Sequence, residues 1–411
     1  YEKIGFAETV KRLYGVFAIV LVDGDKVYLA RDRIGVRPLY FGFTEEGYLA
    51  VSSVPNGLTD FCTGITPFPP GHSALFENGE IMFINKDLPS IPFIRNYSGM
   101  DILHDNLVEA VRVRLMSDRP MGCLLSGGLD SSLVASILVK FLGGENVRTY
   151  SIGMEGSEDL FYARKVAEFL GTNHHEVLFT PEEGFAVIPK VIEALATYDI
   201  TTIRASVGMY LLAKYISENS LDKVIFSGEG SDEILQGYLY FHNAPTPEDG
   251  EKESLRLVEQ LHLYDVLRAD RCISFWGLEA RVPFLDRRVV DTALSLPCNE
   301  KCPRQGYEKY VLRKAFDNLE DPWLPADVLW RKKTAFSDGV SGTAKKWYEN
   351  IQEFVEPIIP DYLFNPNFPS KEAMYYRMIF DNLFPKYDLK VDYWMPKWSD
   401  SKDPSGRLIQ L

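Results

Sequence analysis

The chain has 411 residues, 46% of them apolar and 25% charged, with a formal net charge of -14 at pH 7. That is enough for two or three domains and a sizeable core, in the balance of a soluble globular protein. The acidity argues against general nucleic-acid binding, which rests on many Lys and Arg neutralising phosphates. No run of apolar residues reaches the roughly 18 a membrane helix needs, so no membrane partner is expected. An anionic ligand would have to be met by locally concentrated positive charge.

The cysteines (Cys62, Cys123, Cys272, Cys298, Cys302) are scattered and odd in number. They read as reduced thiols of an intracellular, cytoplasmic protein. Cys298 and Cys302 have no second Cys/His pair nearby, so no zinc is expected there. Residue 1 is Tyr, with no charged or apolar leader after it. The chain is therefore expected to lack a segment upstream.

In chain order, residues 1–88 read as successive short strands: 15–22, 26–31, 37–42 and 47–53, separated by Gly- and Asp-containing turns. With no room for crossover helices they imply an antiparallel sheet. The stretch Pro89 to Gly99 holds prolines and little periodicity, and is the expected boundary. From Asp101 the spacing of Ile102, Leu103, Leu107, Ala110, Val111 and Leu115 predicts an amphipathic helix. Then come a strand 121–125, a helix 131–142, a strand 147–152, and a helix 159–170 ended by Gly171. Helices near 182–197 and 205–218 lead to a strand 223–226. This alternation predicts a doubly wound α/β fold with a parallel sheet. Beyond 255 the chain reads as mainly helical and aromatic-rich.

The strongest chemical signal is Leu124-Leu-Ser-Gly-Gly-Leu-Asp-Ser-Ser132, between a strand and a helix. Gly127 and Gly128 allow a sharp turn whose N–H groups approach an anion, Ser126 and Ser131 add hydroxyl donors, and the next helix adds its positive end. Asp130 would be repelled by phosphate unless a cation bridged them, which implies Mg²⁺. A Walker lysine motif is absent. A second loop, Ser227-Gly-Glu-Gly-Ser-Asp-Glu233, also follows an apolar strand and should emerge on the same sheet edge. It offers Asp232 as a metal ligand and Glu229 as a group handling an amine. Ile152 could pack on a purine or be plain core. Positive charge is densest at Arg331-Lys-Lys333, with Arg204 and Arg281 as further candidates for a carboxylate or phosphate clamp. His174 and His175 come with no nucleophile motif and read as structural.

Together these motifs, with Tyr198-Asp-Ile-Thr-Thr-Ile-Arg-Ala-Ser206, Arg281-Val-Pro-Phe-Leu-Asp286, Ala335-Phe-Ser-Asp-Gly339 and Tyr393-Trp-Met-Pro-Lys-Trp398, resemble the glutamine-dependent asparagine synthetases of eukaryotic type. The resemblance spans essentially the whole chain. It implies an ATP-pyrophosphatase synthetase domain at 101–411, a linker at 89–100, and at 1–88 the C-terminal part of an antiparallel N-terminal-nucleophile glutaminase. It implies aspartate, ATP and ammonia or glutamine as partners and leaves a homodimer open. Leu124, Ile152, Ser227 and Gly228 would contact the nucleotide, and Asp130 and Asp232 would hold Mg²⁺. Lys333 would face the phosphates, Thr201, Thr202 and Arg204 would line the aspartate site, and Glu229 would act on the β-aspartyl-AMP chemistry. Asp32-Arg-Ile-Gly-Val-Arg-Pro-Leu39 resembles the second part of the glutaminase, whose N-terminal Cys would lie upstream of Tyr1. Cys62 and Cys123 cannot replace it, for want of a free α-amino group as base. Another ATP-pyrophosphatase ligase, such as a β-lactam-forming relative, and a non-catalytic nucleotide-binding scaffold are the alternatives.

Overall fold

The computed structural model describes residues 1–90, 99–333, 340–342, 345–399 and 403. Most of the expected boundary segment, and the stretch 334–339 that carries one of the resembling motifs, lie outside them.

The N-terminal region opens with a helix that sequence reading missed, α1 (Phe6–Arg12), and then runs through seven strands. These are β1 (Ala18–Asp23), β2 (Lys26–Arg31), β3 (Tyr40–Phe43), β4 (Leu49–Ser52), β5 (Thr63–Pro67), β6 (His72–Glu77) and β7 (Glu80–Lys86). They form two antiparallel sheets, ordered β1-β2-β6-β7 and β4-β3-β5. Leu29, Leu39, Phe68 and Ala74 make the small core there. The loop after β2 is built around one carboxylate. Asp32 accepts the N–H groups of Ile34, Gly35, Val36 and Arg37, while the buried Arg31 guanidinium donates to the carbonyls of Gly35, Arg37 and Phe68. The loop so fixed carries Arg37 to Asp270, at 2.5 Å, in the rest of the molecule.

Beyond it, α2 (Gly99–Arg112) precedes β8 (Met121–Leu124), α3 (Leu129–Leu142), β9 (Arg148–Gly153), α4 (Glu158–Leu170), β10 (Asn173–Leu178), α5 (Pro181–Leu195), α6 (Ile200–Asn219), β11 (Val224–Phe226), α7 (Ser231–Ile234), α8 (Pro247–Gln260), α9 (Asp265–Ser274), β12 (Glu279–Arg281) and α10 (Arg287–Ser295). The parallel sheet has the order β10-β9-β8-β11-β12. β11 is buried throughout and β8 at Gly122 and Cys123, and both read as apolar runs, as a sheet covered on both faces requires. Strand order reverses between β8 and β11, so a crevice must open there at the carboxyl edge.

Two differences from the sequence reading have physical reasons. β10 was missed because Asn173-His-His-Glu lacks an apolar face; it is an edge strand. There His174 bonds the hydroxyls of Thr149 and Ser151, and His175 stacks on Tyr150 with centroids 5.2 Å apart. α6 starts five residues earlier than expected because Asp199 caps it, accepting both the N–H and the hydroxyl of Thr202 at 2.8 Å. Among the described residues no helix is long and apolar enough to cross a membrane.

Candidate active site

The loops after β8 and β11 face each other across the crevice. β8 and β11 pair directly, Cys123 opposite Phe226, so both loops leave the same edge side by side. They touch at Gly228, where a Cβ would sit 2.7 Å from the Ser131 nitrogen and 2.9 Å from the Asp130 Cβ. Gly127 takes φ +71° and lies against α4, where a Cβ would fall 2.4 Å from the Ala163 nitrogen. Glycine is needed at both for close approach. Ser131 Oγ accepts the Ser126 N–H at 3.1 Å, and Ser231 Oγ donates to Asp130 Oδ1 at 2.8 Å, tying one loop to the other.

A cavity of about 250 Å³ opens over these loops. At one end charges converge. The buried Lys309 places its Nζ 2.5 Å from Asp130 Oδ2 and 2.6 Å from Asp232 Oδ1, and Lys333 also pairs with Asp232. Burial alone would raise the Asp232 pKa, but the two lysines hold it well below the carboxylate range. Burial alone would likewise lower the Lys309 pKa, and the two carboxylates raise it instead. The Lys333 ammonium also lies 5.2 Å from the Tyr238 ring centroid. Arg331 stacks on Tyr162 at 3.9 Å and donates to the Gly127 carbonyl.

Glu229 lies on the wall of the same cleft, with its Oε2 2.8 Å from Arg268 Nη2. Burial pushes its carboxyl up to about 7, with Arg268 pulling the other way. Behind it the Tyr238 hydroxyl donates to Glu233 at 2.6 Å and to Asp265 at 3.0 Å. Thr201 also lines the cleft, and its Oγ is buried with no hydrogen-bond partner among the described residues, an expense that a polar ligand would relieve. Trp394, held where its N–H donates to Asp199 at 2.7 Å, closes this side.

Residues 103–256 and 245–401 match the family described as Asparagine synthase, and residues 1–81 match the Glutamine amidotransferase domain. "Asparagine synthetase [glutamine-hydrolyzing]" of Bos taurus is 46% identical over all of this chain and 80% of its own length. The chain belongs to the glutamine-hydrolysing asparagine synthetase family. The synthetase of the same printed name from Homo sapiens is also 46% identical and that from Gallus gallus 44%, each over the whole chain and 80% of the relative. Among solved structures, a glutamine-dependent NAD+ synthetase from Acinetobacter baumannii in complex with ADP is 15% identical, over 79% of this chain and 53% of that one, at a TM-score of 0.34. A likeness that loose carries no argument.

Of the residues singled out in this asparagine synthetase sequence, Leu124, Ser126, Gly128, Asp130, Ser131, Ile152, Thr201, Ser227, Gly228, Glu229, Asp232 and Lys333 line the one cleft. Three do not. Gly127 lies behind the loop against α4. Thr202 spends its hydroxyl on the Asp199 cap. Arg204, expected as a substrate clamp, is 2% exposed, forked onto Glu372 at 2.8 and 2.5 Å and bonded to Asp403 at 2.8 Å. Arg281 is also elsewhere, donating to the carbonyls of Arg114 and Met116. Sequence reading missed Lys309, Arg268, Tyr238 and Trp394. Lys309 has φ +54°, a left-handed conformation unusual outside glycine, which no sequence pattern signals. Arg268 sits one turn from Asp265 on α9, an ordinary i,i+3 pair in sequence.

Proposed function

We infer that this protein makes asparagine by ATP-dependent amidation of aspartate, releasing AMP and pyrophosphate. The relatives are named glutamine-hydrolyzing, and glutamine is assigned as the source of ammonia here too. The observation that carries the reading is the convergence of Asp130 and Asp232, from facing loops, on one cationic position inside a ligand-sized cleft. The purine is placed between Leu124 and Ile152, its phosphates over the Gly127-Gly128 turn and the N-terminus of α3. Asp130 and Asp232 suit Mg²⁺. They are hard oxygen donors already gathered about an ammonium, and two carboxylates plus substrate phosphates are how this ion is usually held. Among the described residues no group of three His, Cys, Asp or Glu is set to hold a metal by itself. The ion would supply charge neutralisation at the phosphates.

The first step joins an oxygen of the aspartate side chain to the α-phosphorus and breaks the bond to pyrophosphate. Lys333, Lys309 and Arg331 surround that end and neutralise the departing charge. The resulting β-aspartyl-AMP has a good leaving group. In the second step ammonia attacks the acyl carbon, AMP departs, and Glu229 takes the proton. Thr201 offers its unpaired hydroxyl to the bound amino acid. Residues 1–88, 89–100 and 101–411 are assigned as glutaminase-related unit, linker and synthetase unit. All five thiols are free, in keeping with a cytoplasmic home. The test is to supply aspartate, ATP, Mg²⁺ and ammonium chloride and follow asparagine and pyrophosphate together. Pyrophosphate release indifferent to aspartate would overturn the assignment.

A further inference from the structure

The amide-forming step asks more of Glu229 than its presence in the loop. A glutamate on a glycine-flanked turn has several rotamers, and proton transfer needs one of them, within hydrogen-bond reach of the amine. The contact that selects it comes from another element. Arg268, on α9, has a side chain only 7% exposed, and its Nη2 bridges Glu229 Oε2 at 2.8 Å and Asp265 Oδ1 at 2.6 Å. With Oε2 so engaged, Oε1 is the oxygen left to the amine.

The corner is also crowded with negative charge. Asp265 faces Glu229 from α9, Asp232 from its own loop and Asp130 from the opposite loop, all favouring a protonated Glu229, while Arg268 opposes them. Glu233 and Asp265 share the Tyr238 hydroxyl close by. Carboxylates gathered this closely hold protons between them unless a cation intervenes.

We propose that Arg268 is the positioning residue of the amidation step, holding the Glu229 carboxylate in one rotamer on the cleft wall with Oε1 open to the attacking amine. This rests on the asparagine-forming reading above. In the step itself a C–N bond forms, and the acyl C–O bond breaks with its electron pair going to AMP. One N–H proton passes to Glu229 Oε1. In this assignment Arg268 acts through Glu229 and takes no part in adenylation.

The experiment compares the whole chain with Arg268→Met in two assays: the rate of the aspartate-dependent pyrophosphate burst in the first turnover, which reports adenylation alone, and steady-state asparagine formation from ammonium salts across pH. The burst rate should stay within about 3-fold, while asparagine formation falls about 100-fold, the scale of one general base. Glu229 works as a carboxylate, so the rate rises with pH through its ionisation. Loss of the guanidinium should move that rise to higher pH. With hydroxylamine, a better nucleophile that depends less on a base, the deficit should shrink at least about 10-fold. If the methionine variant does not fold, Arg268→Lys keeps the charge on a shorter side chain that sets its nitrogen back from both carboxylates, and should show the same split in milder form. Equal losses in both assays, or an unmoved pH profile, would overturn the proposal. Wild-type pyrophosphate release that ignores aspartate would instead remove the reading beneath it.

Discussion

Lys309 offers the sharpest test of how the two loops are held. Its ammonium lies within 2.6 Å of both Asp130 and Asp232, so those carboxylate oxygens are at most about 5 Å apart. Substituting Lys309→Met keeps the length of the side chain and removes the charge. At an effective dielectric of about 20, two unit charges roughly 5 Å apart repel by about 3 kcal/mol, and two attractions at roughly 2.5 Å are lost as well. Lys333 still pairs with Asp232 and absorbs part of this. Breaking a buried pair generally costs about 3–5 kcal/mol, and we expect that range here. Urea unfolding at pH 7 measures it. Because Asp232 is held well below the ordinary carboxylate range, its contribution is present above the unfolded value and fades as pH falls through the folded one. The gap between wild type and variant should therefore hold from neutrality down to about pH 4, the ordinary carboxylate range, and close only well below it. Mg²⁺ without ATP should stabilise the variant more than the wild type, by taking the place the ammonium leaves. A variant as stable as wild type at pH 7, with no added response to Mg²⁺, would refute the reasoning.

Other expectations follow from the same geometry. Asp130→Ala should abolish aspartate-dependent pyrophosphate release while leaving a folded protein, checked by circular dichroism. Glu229→Gln should depress asparagine formation far more than it weakens ATP binding, measured by titration calorimetry. Gly228→Ala drives a Cβ to 2.7 Å from the Ser131 backbone nitrogen and should cost about 1–3 kcal/mol of stability along with activity. Arg204→Ala strips Glu372 of a buried partner and should destabilise by about 3–5 kcal/mol. A changed KM for aspartate with stability intact would return Arg204 to the substrate site.

What was legible in the sequence was whatever local chemistry dictates. The two glycine-containing loops followed apolar strands, and period and composition placed both on one edge of a parallel sheet. What escaped was what the folded backbone decides, mostly through distant partners. Arg204 looked like a ligand clamp because nothing nearby in sequence pairs with it; its partner Glu372 is 168 residues away. Thr202 belongs to a helix cap whose acceptor, Asp199, lies inside the motif that suggested a binding site. Lys309 sits 179 residues from Asp130, in a backbone conformation only the fold can impose. In the N-terminal region the first four short strands were readable, while β5, β6 and β7 were not singled out. The helix Phe6–Arg12, only two turns long and with Phe6 alone buried, was not readable.

The cap at Asp199 also bears on how the protein is born. The five strands of the parallel sheet are all in place by Arg281, yet the cleft they serve takes walls from Lys309, Lys333 and Trp394. On the ribosome, the sheet and its phosphate-facing turns can therefore condense while more than a hundred residues are still to come. Until Trp394 reaches Asp199, the helix bearing Thr201 has a buried acceptor waiting for its last donor. Competence to bind substrate thus arrives late in synthesis, and an interrupted chain would own the scaffold of the catalyst without its enclosure.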